Sequence, residues 1–110
     1  MKREPPDLLP GTLDLLVLRI LARDSMHGYG IAQRLKELSG AVLQVGESSL
    51  YPALQRLLLN GWATAEWGSS ENNRRARYYT ITRDGKKHLS SERAEFNEIM
   101  DAIQRVLRMA

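Results

Sequence analysis

Apolar positions recur at helical spacing three times before residue 60, then alternate across a polar-tipped stretch, and return to helical spacing near the C-terminus. Leu13, Leu16, Val17, Ile20 and Leu21 fall on one helical face. Thr12 is the expected N-cap, and Asp14 sits in the first turn, where the helix dipole favours a carboxylate. Ser25 to Gly30 breaks the pattern with two glycines. Tyr29, Ile31, Ala32, Leu35 and Leu38 predict a second helix, and Gly40 stands where helix ends adopt a left-handed backbone. After a connection from Leu43 to Gly46, Ser48 is the expected N-cap of a third helix. Pro52 is placed in its first turn, where a missing N–H costs little. Leu50, Leu54, Leu57 and Leu58 form its buried face, and Asn60-Gly61 stops it.

Two strands follow, Trp62 to Trp67 and Ala76 to Thr82, joined by a polar turn from Gly68 to Asn73. Thr82 can cap the last helix, although Gly85 weakens its first turn. Leu89, Phe96, Met100, Ile103 and Leu107 line one stripe of that helix, with Ile99 and Val106 beside it. From Phe96 the steps are four, three and four, the heptad rhythm of a helix seam. An isolated helix with such a stripe is marginal until the stripe packs on something, and a second copy of the chain suits it. The order α-α-α-β-β-α predicts a mainly α fold with a small β-hairpin, a winged helix-turn-helix over residues 11–82. An extended arm with Pro5, Pro6 and Pro10 occupies residues 1–10, and a C-terminal dimerisation helix residues 83–110.

Composition narrows the function. A chain of 110 residues supports one domain and a modest core. The absence of cysteine excludes disulfides, thiol catalysis and cysteine-ligated zinc, and two histidines, His27 and His88, make no metal site. The run from Leu15 to Leu21 is interrupted by Arg19 and too short to span a bilayer, and no apolar signal region follows Met1-Lys2-Arg3. A cytoplasmic location without membrane attachment is the default. Net charge is +3, and its excess is local: residues 61–90 hold six Lys or Arg against three Asp or Glu. That is the footprint of a phosphate contact in and just after the hairpin.

The third helix presents Ser49, Tyr51, Pro52, Gln55 and Arg56 away from its apolar side. Recognition helices meet base edges near their N-termini, where backbone N–H groups also meet phosphate. Ser49 and Tyr51 can donate to phosphates or bases and Arg56 to phosphate; Tyr51 beside a proline equally suits packing of the helix start. Arg74, Arg75 and Arg77, next to Asn72 and Asn73, place guanidinium groups at or just beyond the hairpin tip. The bland reading of those arginines is a sheet edge kept soluble by charge. Tyr29, at the start of a helix that crosses the DNA backbone in this architecture, either reaches a phosphate or packs the core. His27 is expected to cap or hydrogen-bond, Trp62 to join the core, and Trp67 to be exposed. No Ser/His/Asp pattern, phosphate-cradling glycine loop or paired carboxylates marks an enzyme. A winged-helix protein-interaction module that offers its basic wing to an acidic partner is the alternative class.

The segments LLPGTLDLLVLRIL, HGYGIAQRL, SSLYPALQRLLLNGW and ENNRRARYYTITRDGKKHL resemble the PadR family of bacterial transcriptional regulators, in the short form with a single C-terminal helix. The likeness runs from about Leu8 to Leu107, and LYPAL followed by RRxxYYxxTxxG is specific beyond a bare helix-turn-helix. It implies a homodimeric winged-helix repressor that binds an operator near the genes it controls. By position it implies DNA contacts at Tyr29, Ser48, Ser49, Tyr51, Pro52, Asn73, Arg74, Arg75 and Arg77, with no cofactor. Some members respond to phenolic acids or flat hydrophobic cations near the dimer interface. An unknown small-molecule effector is therefore an expected partner, without assigned residues, because the seam here carries Phe96 rather than a tryptophan.

Overall fold

A computed structural model describes residues 11–109, so the expected N-terminal arm lies outside the described residues. The elements are α1 (Thr12–Leu21), β1 (Met26–His27), α2 (Gly28–Leu38), α3 (Glu47–Leu59), β2 (Ala63–Ser69), β3 (Arg75–Ile81) and α4 (Arg83–Leu107). The two strands of the hairpin are antiparallel, and β1 adds to the outer side of β3, giving the order β1-β3-β2. This short third strand lies inside the segment whose sequence reads only as a break. Two residues are too few to show alternation, and β1 exists because Met26 and His27 find Tyr79 and Tyr78 across the sheet.

The core gathers around α1, which packs against α2, α3, α4 and β3. Val17, Leu18, Ile31, Leu54 and Leu57 are fully buried, and Leu50, Ala53, Ala63 and Tyr79 close the cluster. The helical periods in the sequence thus point where expected.

Capping departs from the sequence reading at two starts. Gly11, not Thr12, is the N-cap of α1, and its carbonyl accepts from Leu15 N at 3.1 Å. Gly46, not Ser48, is the N-cap of α3, and its carbonyl accepts from Leu50 N at 3.0 Å. The earlier start moves Pro52 into the second turn, where its ring faces the carbonyl of Ser48. Both residues are exposed, so the freed carbonyl can meet water. The helix ends follow the sequence. Gly40 (φ +62°) and Gly61 (φ +73°) are left-handed, and Gly61 N bonds Leu58 O while Trp62 N bonds Leu57 O, the paired bonds of a Schellman stop.

Thr82 caps α4 as expected and does more. Its hydroxyl accepts from Gly85 N (3.0 Å) and donates to Gly61 O (2.7 Å), tying the α4 start to the end of α3. Gly85 is not merely a weak helix former. A Cβ there would run into the Trp62 carbonyl and come within 2.8 Å of Ile81 Cγ1, so the close approach of α4 to the sheet requires glycine. One turn on, His88 stacks on Trp62 with ring centroids 3.5 Å apart.

Candidate nucleic-acid interface

Side chains from α2, α3 and the wing converge on one open groove of about 1110 Å³. Glycines and caps position the helical wall. The His27 imidazole accepts from Gly30 N at 3.0 Å, so His27 is the N-cap of α2, and it holds Tyr29 at the rim, 74% exposed. Gln33, one turn later, donates to the Tyr29 hydroxyl at 3.3 Å. The α3 side contributes Tyr51 and, one turn on, Gln55. No side chain caps α3, because its N-cap is Gly46. Its first-turn N–H groups, at the positive end of the helix dipole, suit an anion, although Glu47 stands among them.

The opposite wall is the wing. Its turn closes through Asn73 N to Ser70 O (2.9 Å) and Ser70 N to Arg74 O (2.8 Å), with Asn73 left-handed at φ +59°. The small polar side chain of Asn tolerates that backbone, which places the arginines immediately after the bend. Arg74, Arg75 and Arg77 all line the groove. Arg34 adds a cation from α2, loosely paired with Glu37 at 3.7 Å, and Glu37 and Glu71 are the carboxylates on the groove. The surface is therefore cationic mainly on its wing side. Tyr78 braces the hairpin by donating from its hydroxyl to Ser69 O at 2.9 Å and packing its ring over Gly68.

Of the residues expected from sequence, Tyr29, Tyr51, Arg74, Arg75 and Arg77 share this groove. Ser48, Ser49 and Pro52 lie exposed at the start of α3 outside its lining, and Asn73 is at the turn beside it. Arg56 is elsewhere. Its Nε donates to Asp14 Oδ2 at 2.9 Å and its Nη2 to Asp14 Oδ1 at 2.7 Å. The hydrogen bonds from the Asp14 carboxylate raise the Arg56 pKa above its ordinary value, with burial a smaller opposing influence. The expectation of Arg56 as a free phosphate donor is corrected accordingly: its fork is occupied by a carboxylate that is itself nearly buried. Sequence reasoning passed over Gln33, Arg34 and Trp67 as lining residues. For Gln33 the available signal was its i+4 relation to Tyr29.

Along α4 the stripe expected from sequence divides. Leu89 is buried in the chain's own core, which corrects its place among the partner-facing positions, because the close docking at Gly85 and His88 presses this turn onto the domain. Phe96 and Met100 are half-buried, whereas Ile99, Ile103, Val106 and Leu107 are exposed, the last two by 69% and 73%. Among the described residues no helix is long and apolar enough to cross a membrane.

The model of the transcriptional regulator PadR-like family matches residues 17–91, well over half of the chain. The chain belongs to that family. A PadR-like protein is a DNA-binding transcription regulator, not an enzyme. The chain is 34% identical over 98 residues to an uncharacterised protein of Lysinibacillus sphaericus, covering 86% of this chain and 90% of that one. Among solved structures it is similar to a transcriptional regulator from Clostridium thermocellum, with a TM-score of 0.77, 27% identity, and coverage of 84% and 89% of the two chains. A PadR family transcription regulator from Clostridium difficile matches with a TM-score of 0.76 and 26% identity, over 88% of this chain and 99% of that one. The PadR-type winged helix accounts for the four helices and small antiparallel sheet seen among the described residues.

Proposed function

We propose that the protein is a transcriptional repressor that binds a palindromic operator as a homodimer and is released from it by a small-molecule effector. The observation that carries the reading is the single groove where Tyr29 and Tyr51 of the helices face Arg74, Arg75 and Arg77 of the wing. A recognition helix and a cationic hairpin on two sides of a trough suit a duplex, with α3 directed to the major groove and the trough straddling a phosphate strand. Ser48, Ser49 and Pro52, exposed at the leading end of α3, are the residues proposed nearest to base edges, and Asn73 with the wing arginines the residues proposed for the flanking backbone.

The exposed apolar residues Ile99, Ile103, Val106 and Leu107, with half-buried Phe96 and Met100, are proposed as the dimer seam. Leaving that stripe in water is unfavourable, and a two-fold pair of α4 helices would present two recognition helices to half-sites about 34–36 Å apart. In this reading residues 11–82 form the DNA-binding unit, residues 83–110 the dimerisation helix, and the protein works in the cytoplasm.

The test is titration of a duplex from the protein's own promoter region against unrelated DNA at fixed salt, followed by footprinting and a reporter assay. The expected result is competitor-resistant binding by a dimer, a two-fold symmetric footprint, and lower reporter output when the protein is present. Equal, salt-sensitive binding to both DNAs would refute operator recognition, and raised reporter output would refute repression.

A further inference from the structure

Trp67 is 60% exposed in the middle of a cationic surface, and charge-mediated solubility does not explain an indole there. The strand register pairs Trp67 with Arg77 and Ser69 with Arg75, so Trp67, Arg75 and Arg77 stand on one face of the hairpin. Closer to the domain that same face carries the buried Ala63 and Tyr79. The core-facing side of the sheet therefore runs out from under the helices and becomes the wall of the groove. There the Arg75 guanidinium lies 4.7 Å from the centroid of the Trp67 ring.

We propose that Trp67 and Arg75 form one composite contact for a sugar–phosphate unit of DNA, the guanidinium taking the phosphate and the exposed indole packing against the adjoining deoxyribose. A nucleic-acid backbone sets an anion beside a compact, largely apolar ring, and a guanidinium lying on an aromatic plane is the complementary pair. Stacking also restricts the guanidinium before the duplex arrives, so less side-chain freedom is lost on binding. A purely anionic polymer can use the arginine but has no sugar for the indole. The pair thereby distinguishes DNA from generic polyanions, a property that charge alone cannot supply. The inference rests on the DNA-binding reading of this groove.

The experiment compares the full-length wild type with Trp67→Ala, Trp67→Phe and Arg75→Ala. Each is titrated with a duplex from the protein's own promoter region and with long-chain inorganic polyphosphate, at several salt concentrations. Trp67→Ala is expected to weaken the duplex about three- to fivefold, the size of an exposed aromatic contact, while leaving the salt slope and polyphosphate affinity unchanged. Trp67→Phe is expected to fall between Trp67→Ala and the wild type. Arg75→Ala is expected to weaken both ligands and to reduce the duplex salt slope by about one. In a Trp62→Phe background, checked by circular dichroism for an intact fold, the duplex should quench the remaining indole fluorescence. Equal losses for duplex and polyphosphate in Trp67→Ala, or an unchanged duplex affinity, overturn the composite contact. A wild type that binds polyphosphate but no duplex overturns the DNA-binding reading as well, and is a distinguishable result.

Discussion

Arg56→Ala separates a structural from a DNA-binding role for the one arginine of α3. In the folded chain its guanidinium makes two bonds to Asp14, at 2.7 and 2.9 Å, across a separation of 42 residues. The two sides are unequally placed, with side-chain exposures of 49% for Arg56 and 13% for Asp14. Removing the arginine leaves a carboxylate with little access to water, whereas removing the carboxylate leaves a cation that water can reach. A fully buried broken pair costs about 3–5 kcal/mol and an exposed one about 0–1 kcal/mol. Solvent screening of the half-exposed Arg56 discounts the first figure, so about 1–2 kcal/mol is expected for Arg56→Ala, and less for Asp14→Asn. In a domain of this size that corresponds to roughly 5–10 °C in melting temperature, compared at one protein concentration because dimerisation couples to unfolding. Binding of promoter DNA should keep its salt slope, since no phosphate contact is lost. A double-mutant cycle with Asp14→Asn measures the coupling directly. Arg56→Ala with an unchanged melting temperature and a salt slope reduced by about one would refute the assignment and restore Arg56 to the DNA surface.

Three further outcomes are expected. Gly85→Ala should destabilise the protein by about 1–3 kcal/mol, as overpacking does, because its Cβ meets the Trp62 backbone and Ile81; a melting curve equal to wild type would contradict the close approach. Ile103→Glu, on the exposed part of α4, should shift sedimentation from dimer to monomer with the helical signal of the domain retained, and an unchanged mass would remove this stripe from the interface. Ser49→Ala and Tyr51→Phe should alter the order of preferred sequences in a binding selection more than they alter bulk affinity, and identical preferences would place sequence reading elsewhere.

Whatever is written within about one helical turn was legible in advance. The faces of α1, α2 and α3, the left-handed ends at Gly40 and Gly61, the His27 and Thr82 caps and the hairpin all depend on residues three to five positions apart. The two misplaced N-caps show the limit of that reading. Thr12 and Ser48 are good capping residues, but Gly11 and Gly46 begin the helices one and two residues earlier, and side-chain preference yields to where the backbone bonds start. The clustering of Arg74, Arg75 and Arg77 was likewise visible as a local charge excess.

The sequence by itself determined the period, polarity and ends of the helices, the cationic hairpin, and the family to which the chain belongs. Only the tertiary structure decided that Met26-His27 is a strand, that Arg56 serves Asp14, that Leu89 belongs to the core, and that Gly85 answers a steric demand. It also decided that Trp67 stands with Arg75 on the wall of the groove. The physical reason is common to all of these. Periodicity and capping arise from bonds a few residues long, whereas a sheet partner, an ion pair across 42 residues and a Cβ-sized gap are properties of surfaces that meet only when the chain folds.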